Sequence, residues 1–245
     1  FTITQRILYL IHEKQIPPQK LLVITFTREA AVSMRQRFLQ ISPQHTTVNF
    51  GTFHSCFYQI LLRSGRVSPG NILNEKQKKE LIYPVLKKIK AHNALSATDL
   101  PELAKNLLTA IGYYKNTGDL QSSMDRLPED WKNDFAQVYS GYEEARKRIR
   151  GLDFDDMLKE CEELLQKDDA LRAYWQNLFS YILIDEFQDI NYRQYCIVRL
   201  LAQKHKNVFA VGDDDQAIYG FRGAKPACMK QFVQEFGAKQ IILST

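Results

Sequence analysis

Two acidic residues directly follow a short apolar run in the stretch "YILIDEFQDIN". Asp185 and Glu186 come after four residues that are typical of a buried strand, and Asp189 lies three positions further on. Burying an unpaired carboxylate is costly, so either the strand ends there and the acids face water, or a positive group meets them. A strand-end Asp-Glu pair suits Mg²⁺-dependent phosphoryl transfer, in which Asp185 holds the metal and Glu186 deprotonates the attacking water.

A second group follows another apolar run, in "NVFAVGDDDQAIYGFRGA". Three aspartates and Gln216 end the run, and Tyr219, Phe221 and Arg222 come shortly after. Three aspartates are typical of a solvated loop, and the two aromatic rings are compatible with simple core packing. Aromatic rings beside a guanidinium are also suited to stacking on unpaired bases, so both interpretations stay open from the residues alone.

Two further stretches, "VITFTREAAVSMRQRF" and "FGTFHS", place hydroxyl groups where a strand passes into a helix. In the first, Thr25, Phe26 and Thr27 stand at this junction, which is a favourable position for a phosphate. The alternative for a threonine here is an ordinary N-cap. Thr52 and His54 repeat the arrangement one strand later, although a lone histidine is more often structural than catalytic.

The composition is that of an ordinary globular chain of 245 residues, with 44% hydrophobic and 25% charged residues. No apolar run approaches the roughly 18 residues that span a bilayer, and no signal-peptide pattern precedes residue 15. The four cysteines form no CxxC pair, which favours reduced thiols in a cytoplasmic protein. A formal charge of +5 is compatible with a nucleic-acid partner and is not diagnostic of one.

Strand-like and helical stretches alternate along much of the chain, which predicts an α/β fold with a parallel sheet. Ligands of such sheets bind at the carboxyl ends of the strands, where the acids stand. From about residue 64 to 150 the pattern instead predicts only helices, many of them rich in lysine. We therefore expect a core formed by 1–68 and 151–245, with 69–150 as a helical insertion. The predicted strands are 20–26, 47–53, 181–184, 207–212 and 240–244.

Taken together, these stretches resemble the amino-terminal half of a superfamily 1A DNA helicase of the UvrD/Rep/PcrA type. "ITFTREAAVSMRQR" resembles that family's motif Ia, and "FGTFHS" resembles its motif Ib. "ILIDEFQDIN" and "VFAVGDDDQAIYGFRGA" are similar to motifs II and III, and "GLDFDDML" resembles the segment where the chain returns from the inserted subdomain. All five lie in family order and cover nearly the whole chain.

The resemblance implies a RecA-like P-loop NTPase sheet (subdomain 1A) with an all-helical insertion (1B). It also implies a motor that uses ATP and Mg²⁺ to move 3′ to 5′ along single-stranded DNA and to unwind duplexes at single-strand/duplex junctions. Asp185 would bind Mg²⁺, Glu186 would activate water, and Gln216 would sense the γ-phosphate. The residues expected at the DNA are Thr25, Phe26, Arg28, Thr52, His54, Tyr219, Phe221 and Arg222.

The chain departs from the family pattern in three ways. Phe221 stands where many members carry Trp, which predicts weaker stacking, and Arg28 replaces a common Asn. A phosphate-binding loop requires Gly-Lys-Ser/Thr, and the chain contains no Gly-Lys dipeptide. We therefore expect that this loop precedes Phe1, that later motifs follow Thr245, and that the piece alone hydrolyses ATP negligibly.

Two other functions remain open from the sequence. One is the motor domain of an AddA/RecB-like helicase-nuclease, and the other is a degenerate, non-enzymatic DNA-binding module. The presence of Asp185, Glu186 and Gln216 argues against degeneration. Repair or replication proteins are expected partners, while the pathway and the oligomeric state are not indicated.

Overall fold

A computed structural model of the chain describes residues 2–89, 100–213 and 227–242. The chain forms two compact units, one made of Phe1–Ile60 with Glu160–Thr245 and the other of Leu61–Lys159. Each of the two boundaries between these units falls inside a helix. The boundaries expected from the sequence, at 68/69 and 150/151, stay a prediction.

The first unit contains a parallel sheet of four strands in the order β2-β1-β3-β4. β1 is buried along its whole length and β3 along all but its first residue, as expected for apolar strands covered on both faces. Their carboxyl ends lie at one edge, because Thr25 pairs with Thr52 and Ile184 pairs with both Ile24 and Ala210. The strands are β1 (Leu21–Thr25), β2 (Asn49–Thr52), β3 (Tyr181–Ile184) and β4 (Val208–Ala210).

Helices make up most of the remaining described chain. In chain order they are α1 (Thr2–His12), α2 (Arg28–Ile41), α3 (Phe53–Arg63), α4 (Glu75–Ile89), α5 (Leu100–Thr117), α6 (Leu120–Met124), α7 (Glu129–Lys132), α8 (Phe135–Arg148), α9 (Phe154–Lys167), α10 (Asp169–Leu178), α11 (Tyr192–Ala202) and α12 (Ala227–Phe236).

The helices that precede and follow β1 each pack by an apolar stripe. Ile3, Ile7, Leu10 and Ile11 of α1 are buried, and α2 buries Ala31, Met34 and Phe38. All of these side chains except Ala31 share one apolar core with the strand residues Leu21, Val23 and Leu183. This core supports the sheet, and the carboxyl edge of the sheet carries the acids.

The second unit is helical throughout its described part, apart from a single parallel bridge between Ile72 and Leu152. Its core joins side chains of α4, α5 and α8, including Ile82, Leu107 and Tyr142. The predicted fold class, a parallel α/β sheet with a helical insertion, is confirmed.

The strand predicted at 240–244 is wrong for residues 240–242, which lie in no strand. Ile241 and Ile242 are 72% and 93% exposed. A strand needs a neighbour for its backbone hydrogen bonds, and in the described residues β4 pairs with β3 alone. An apolar run therefore did not suffice to specify a strand.

Two further sequence expectations can be compared with the described residues. None of the helices there is both long and apolar enough to cross a membrane. The four cysteines are free thiols, and Cys161, Cys196 and Cys228 are buried.

Candidate functional site

The two acids lie in the turn that ends β3. The backbone N–H of Asp185 donates to the carbonyl of Ile24 at 3.0 Å, so this residue continues the ladder with β1 by one position. Its side chain is half-buried, whereas Glu186 is exposed. Glu186 has left-handed backbone angles, φ 51° and ψ 48°, which are uncommon for a side-chain-bearing residue and occur often at functional turns. The chain therefore turns sharply between the two carboxylates.

Gln188 connects this turn to the end of the neighbouring strand. Its Nε2 donates to Oε2 of Glu186 at 2.7 Å, and its Oε1 accepts the backbone N–H of Asp213 at 3.0 Å. The side chain is only 2% exposed. A Cβ atom at Gly212 would lie 2.7 Å from Oε1 of Gln188, so a glycine is needed for this close approach. The buried amide thus orients the exposed carboxylate.

The Asp185 carboxyl is placed unfavourably for a negative charge. Burial raises its pKa, and the charge of Glu186 raises it further. A bound divalent cation would favour the ionised form of Asp185 and so oppose the effects of burial and of the Glu186 charge. Mg²⁺ in phosphoryl-transfer sites needs only one or two carboxylates, with phosphates and water completing its coordination. Asp185 and its neighbour therefore fit a Mg²⁺-nucleotide. No group of three His, Cys, Asp or Glu side chains suited to a metal occurs among the described residues.

The threonines at the ends of β1 and β2 hold turns in this structure. Thr25 is 1% exposed, and its hydroxyl donates to the carbonyl of Thr27 at 2.9 Å. Thr27 caps α2 by accepting the N–H of Ala30. The hydroxyl of Thr52 accepts the N–H of Ser55 at 3.1 Å. The N-cap alternative is therefore realised at Thr27, where the hydroxyl binds the chain's own backbone.

The other expected DNA-contacting residues divide into two groups. Phe26 and His54 are half-buried and Arg28 is exposed, and all three follow strand ends at the same edge of the sheet as Asp185. Four expected site residues lie outside the described residues: Gln216, Tyr219, Phe221 and Arg222.

Sequence reasoning missed the role of Gln188. The residue stands two positions after Glu186, and it was compatible with an ordinary turn. A polar side chain between two buried apolar ones, Phe187 and Ile190, is a weak signal of a specific hydrogen-bonding task. Its partner Asp213 is 25 positions away, so the contact itself could not be predicted.

Nearly the whole chain matches a known protein family. A family described as "UvrD/REP helicase N-terminal domain" matches residues 1–237. The chain belongs to this family. The match to the UvrD/REP family includes the end of β3, where Asp185 and Glu186 lie, and the turn held by Gln188.

Individual relatives are similar over nearly the whole chain. The chain is 36% identical to YjcD of Bacillus subtilis (strain 168) over 99% of its own length. It is 35% identical to the ATP-dependent DNA helicase PcrA of Staphylococcus aureus (strain Mu50) over 96%. It is 37% identical to PcrA of Staphylococcus epidermidis (strain RP62A) over 98%. The chain spans about a third of the length of these curated relatives, 32%, 32% and 33% respectively.

Proposed function

We propose that the chain is the ATP-binding part of an ATP-dependent DNA helicase, which couples ATP hydrolysis to 3′–5′ movement on single-stranded DNA and to duplex unwinding. The observation that carries the proposal is the strand-end acid pair, with Gln188 fixing Glu186 at 2.7 Å. Relatives named as ATP-dependent DNA helicases support the same activity.

Each acid has a separate task in this mechanism. Asp185, whose raised pKa reflects burial and its acidic neighbour, binds Mg²⁺, which supplies charge neutralisation for the phosphates when it is bound. Glu186 is exposed to water and accepts a proton from the attacking water. Its bond to Gln188 keeps one carboxylate oxygen oriented. Gln216 senses the γ-phosphate in the proposed site.

Gln188 also provides a physical connection between the proposed nucleotide site and the proposed DNA site. It joins Glu186 to the backbone of Asp213, and Asp213 begins the segment that contains Gln216, Tyr219 and Phe221. A shift of Glu186 on hydrolysis would therefore be transmitted through Gln188 to the segment that is proposed to stack on bases. In this proposal Gln188 is a positioning residue.

The DNA side of the proposal involves the residues after the neighbouring strand ends. Phe26, Arg28 and His54 are proposed to contact the strand directly, with Tyr219, Phe221 and Arg222. The buried hydroxyl of Thr25 is proposed to shape the turn that presents Phe26, and Thr52 does the same for His54. Single-strand/duplex junctions, repair or replication proteins and a cytoplasmic location belong to the same proposal.

The deciding experiment is ATP hydrolysis by the full-length protein that carries this chain, with and without single-stranded DNA. Glu186→Gln is expected to lower DNA-stimulated turnover by about 10²–10⁴-fold, the usual contribution of a general base, while nucleotide and DNA binding persist. Glu13→Gln, which removes an exposed carboxylate outside this turn, is the matched control.

Either of two results would contradict the proposal. ATP turnover by Glu186→Gln equal to that of the unmodified protein would show that Glu186 is not the catalytic base. DNA binding without hydrolysis in the unmodified protein would instead identify a non-enzymatic binding module.

A further inference from the structure

The turn of residues 185–188, which we call the acid turn, contains a buried aromatic ring. Phe187 follows Glu186 directly and is 1% exposed. Its backbone N–H donates to the carbonyl of Val211 at 2.9 Å. Its ring lies against that of Phe232 on α12, with 5.1 Å between the ring centroids and 48° between the ring planes. The residue next to the proposed base therefore contacts both the chain just beyond β4 and α12.

The aromatic contact continues along α12. Phe232 is 5% exposed, and the centroid of its ring lies 5.0 Å from that of Phe236, one helical turn further on. Aromatic rings whose centroids are about 4.5–7 Å apart attract each other beyond the effect of burial. We call Phe187, Phe232 and Phe236 the aromatic row. This row runs from the acid turn along one side of α12.

α12 is held to its neighbours at two further points. Glu235 accepts a hydrogen bond from the hydroxyl of Tyr195 on α11 at 2.8 Å, and Tyr195 is fully buried. Near the start of α12, the Cε atom of Met229 lies only 3.0 Å from the position that a Cβ at Gly212 would occupy. The helix therefore packs closely against the chain beyond β4 as well as against the acid turn.

The burial of these rings is also compatible with simple core packing, but Phe187 differs from other core residues in its position. It stands between Glu186 and Gln188, and consecutive Cα atoms stay about 3.8 Å apart across a trans peptide bond. A movement of Glu186 therefore displaces Phe187. Because a close-packed interior transmits a displacement rather than absorbing it, the same movement reaches Phe232 and α12.

We propose that Phe187 and Phe232 are positioning residues that transmit movement of the acid turn to α12, in addition to the connection through Gln188. The inference rests on the proposed function, which assigns DNA contacts to residues between Asp213 and α12 in the sequence. Gln188 binds Asp213, which precedes these residues, and Phe187 contacts α12, which follows them. Two consecutive residues of the acid turn thus contact both flanks of the sequence that is proposed to stack on bases.

The test measures the coupling between nucleotide binding and DNA binding in the full-length protein that carries this chain. The affinity for a single-stranded oligonucleotide is measured with and without a non-hydrolysable ATP analogue and Mg²⁺, and the ratio of the two affinities is the coupling factor. The affinity for the analogue, with and without the oligonucleotide, must give the same factor by thermodynamic linkage. Neither measurement involves hydrolysis, so a slower chemical step cannot produce the effect.

Phe187→Leu and Phe232→Leu are each expected to move the coupling factor towards 1 by about 2–30-fold, the range for residues that couple two sites without contacting either ligand. Because the two rings form one contact, the double variant should have the same coupling factor as each single variant. Two independent packing defects would instead multiply their effects.

Phe38→Leu is the matched control. Phe38 is fully buried in α2 of the same compact unit, and its ring centroid lies 5.7 Å from that of Phe50. The control therefore loses a similar volume and a similar ring contact, and its coupling factor should equal that of the unmodified protein. Phe232→Met fills the space with a flexible side chain, which keeps the test valid if a leucine variant unfolds, and it should also lower the coupling factor.

Unchanged coupling factors in Phe232→Leu and Phe232→Met would overturn the inference and leave the helicase assignment intact. An equal loss in Phe38→Leu, multiplied effects in the double variant, or a coupling factor of 1 in the unmodified protein would overturn it too. If the unmodified protein bound neither the analogue nor the oligonucleotide, the proposed function itself would fail.

Discussion

At Asp185, burial and a neighbouring charge both oppose the ionised carboxylate. They raise its pKa in the folded protein above the value of about 3.9 typical of an unfolded chain. A raised folded-state pKa means that the stability from this group is present below the unfolded pKa and is lost as pH rises through the folded one. At neutral pH, the ion-free site is therefore a source of instability that a bound cation would relieve.

Replacing Asp185 with Asn tests this balance directly. In metal-free buffer near pH 7, Asp185→Asn should melt at a higher temperature than the unmodified protein, because the amide cannot ionise. The difference should shrink as pH falls toward about 4, and Mg²⁺ with ATP should stabilise only the unmodified protein substantially. Thermal melts at several pH values, with Glu13→Gln as control, measure both effects. A lower melting temperature for Asp185→Asn at pH 7 would show that the carboxylate is needed for folding.

At the scale of elements, an ion network joins α5, α8 and the start of α9. Lys115 is 4% exposed, and its Nζ lies 2.7–2.9 Å from Glu143, Asp153 and Asp156. Burial alone would raise the pKa of Asp153, but Lys115 outweighs it and leaves that pKa lowered. For Asp156, burial and the adjacent Asp153 charge instead raise the pKa. Asp153 and Asp156 of the stretch "GLDFDDML" therefore stabilise the fold through this ion network.

Lys115→Met should destabilise the protein by about 3–5 kcal/mol near pH 7, since removing Lys115 leaves the buried carboxylate of Asp153 without its cation. Glu143 and Asp156 keep their ion pairs with Arg146. Because the folded-state pKa of Asp153 is lowered, the stability it contributes is present above its unfolded pKa and lost in acid. The deficit of the variant should therefore shrink as pH falls below about 4. Denaturant unfolding across this pH range measures the difference in the free energy of unfolding between the variant and the unmodified protein.

The matched control for this prediction is Lys76→Met. Lys76 and Glu80 are 4.0 Å apart with side chains 87% and 60% exposed, so the loss should be about 0–1 kcal/mol. A similar cost for both variants would mean that the buried network contributes no more than an exposed pair.

At the scale of the whole molecule, DNA affinity has an electrostatic part and a stacking part. The formal charge of +5 favours phosphate contacts, and these weaken with salt. Stacking of bases on aromatic rings is sequence-tolerant and contributes about 1–3 kcal/mol per base. The two parts can therefore be separated by mutation.

The double variant Tyr219→Ala, Phe221→Ala should weaken single-strand binding by about 1–3 kcal/mol per lost base contact, with the salt slope unchanged. Binding titrations of the full-length protein at several salt concentrations measure this. Unaltered affinity in a folded double variant would instead assign both rings to the core.

Local pattern determined much of the architecture. Apolar runs at β1 and β3 were sufficient to predict buried parallel strands, because such strands are covered on both faces. Ala31, Met34 and Phe38 recur at helical spacing, which places them on one face of α2, and all three are buried. The pattern failed at 240–242, since a strand also requires a partner that its own residues do not specify.

The sequence by itself therefore determined the fold class, the family resemblance and the presence of two acids after a buried strand. The tertiary structure decided what holds those acids and what the remaining polar residues do. The bond from Asp213 to Gln188 crosses 25 residues, and that from Lys115 to Asp153 crosses 38. Such contacts depend on the approach of distant segments and on the exclusion of water, neither of which is encoded in local spacing.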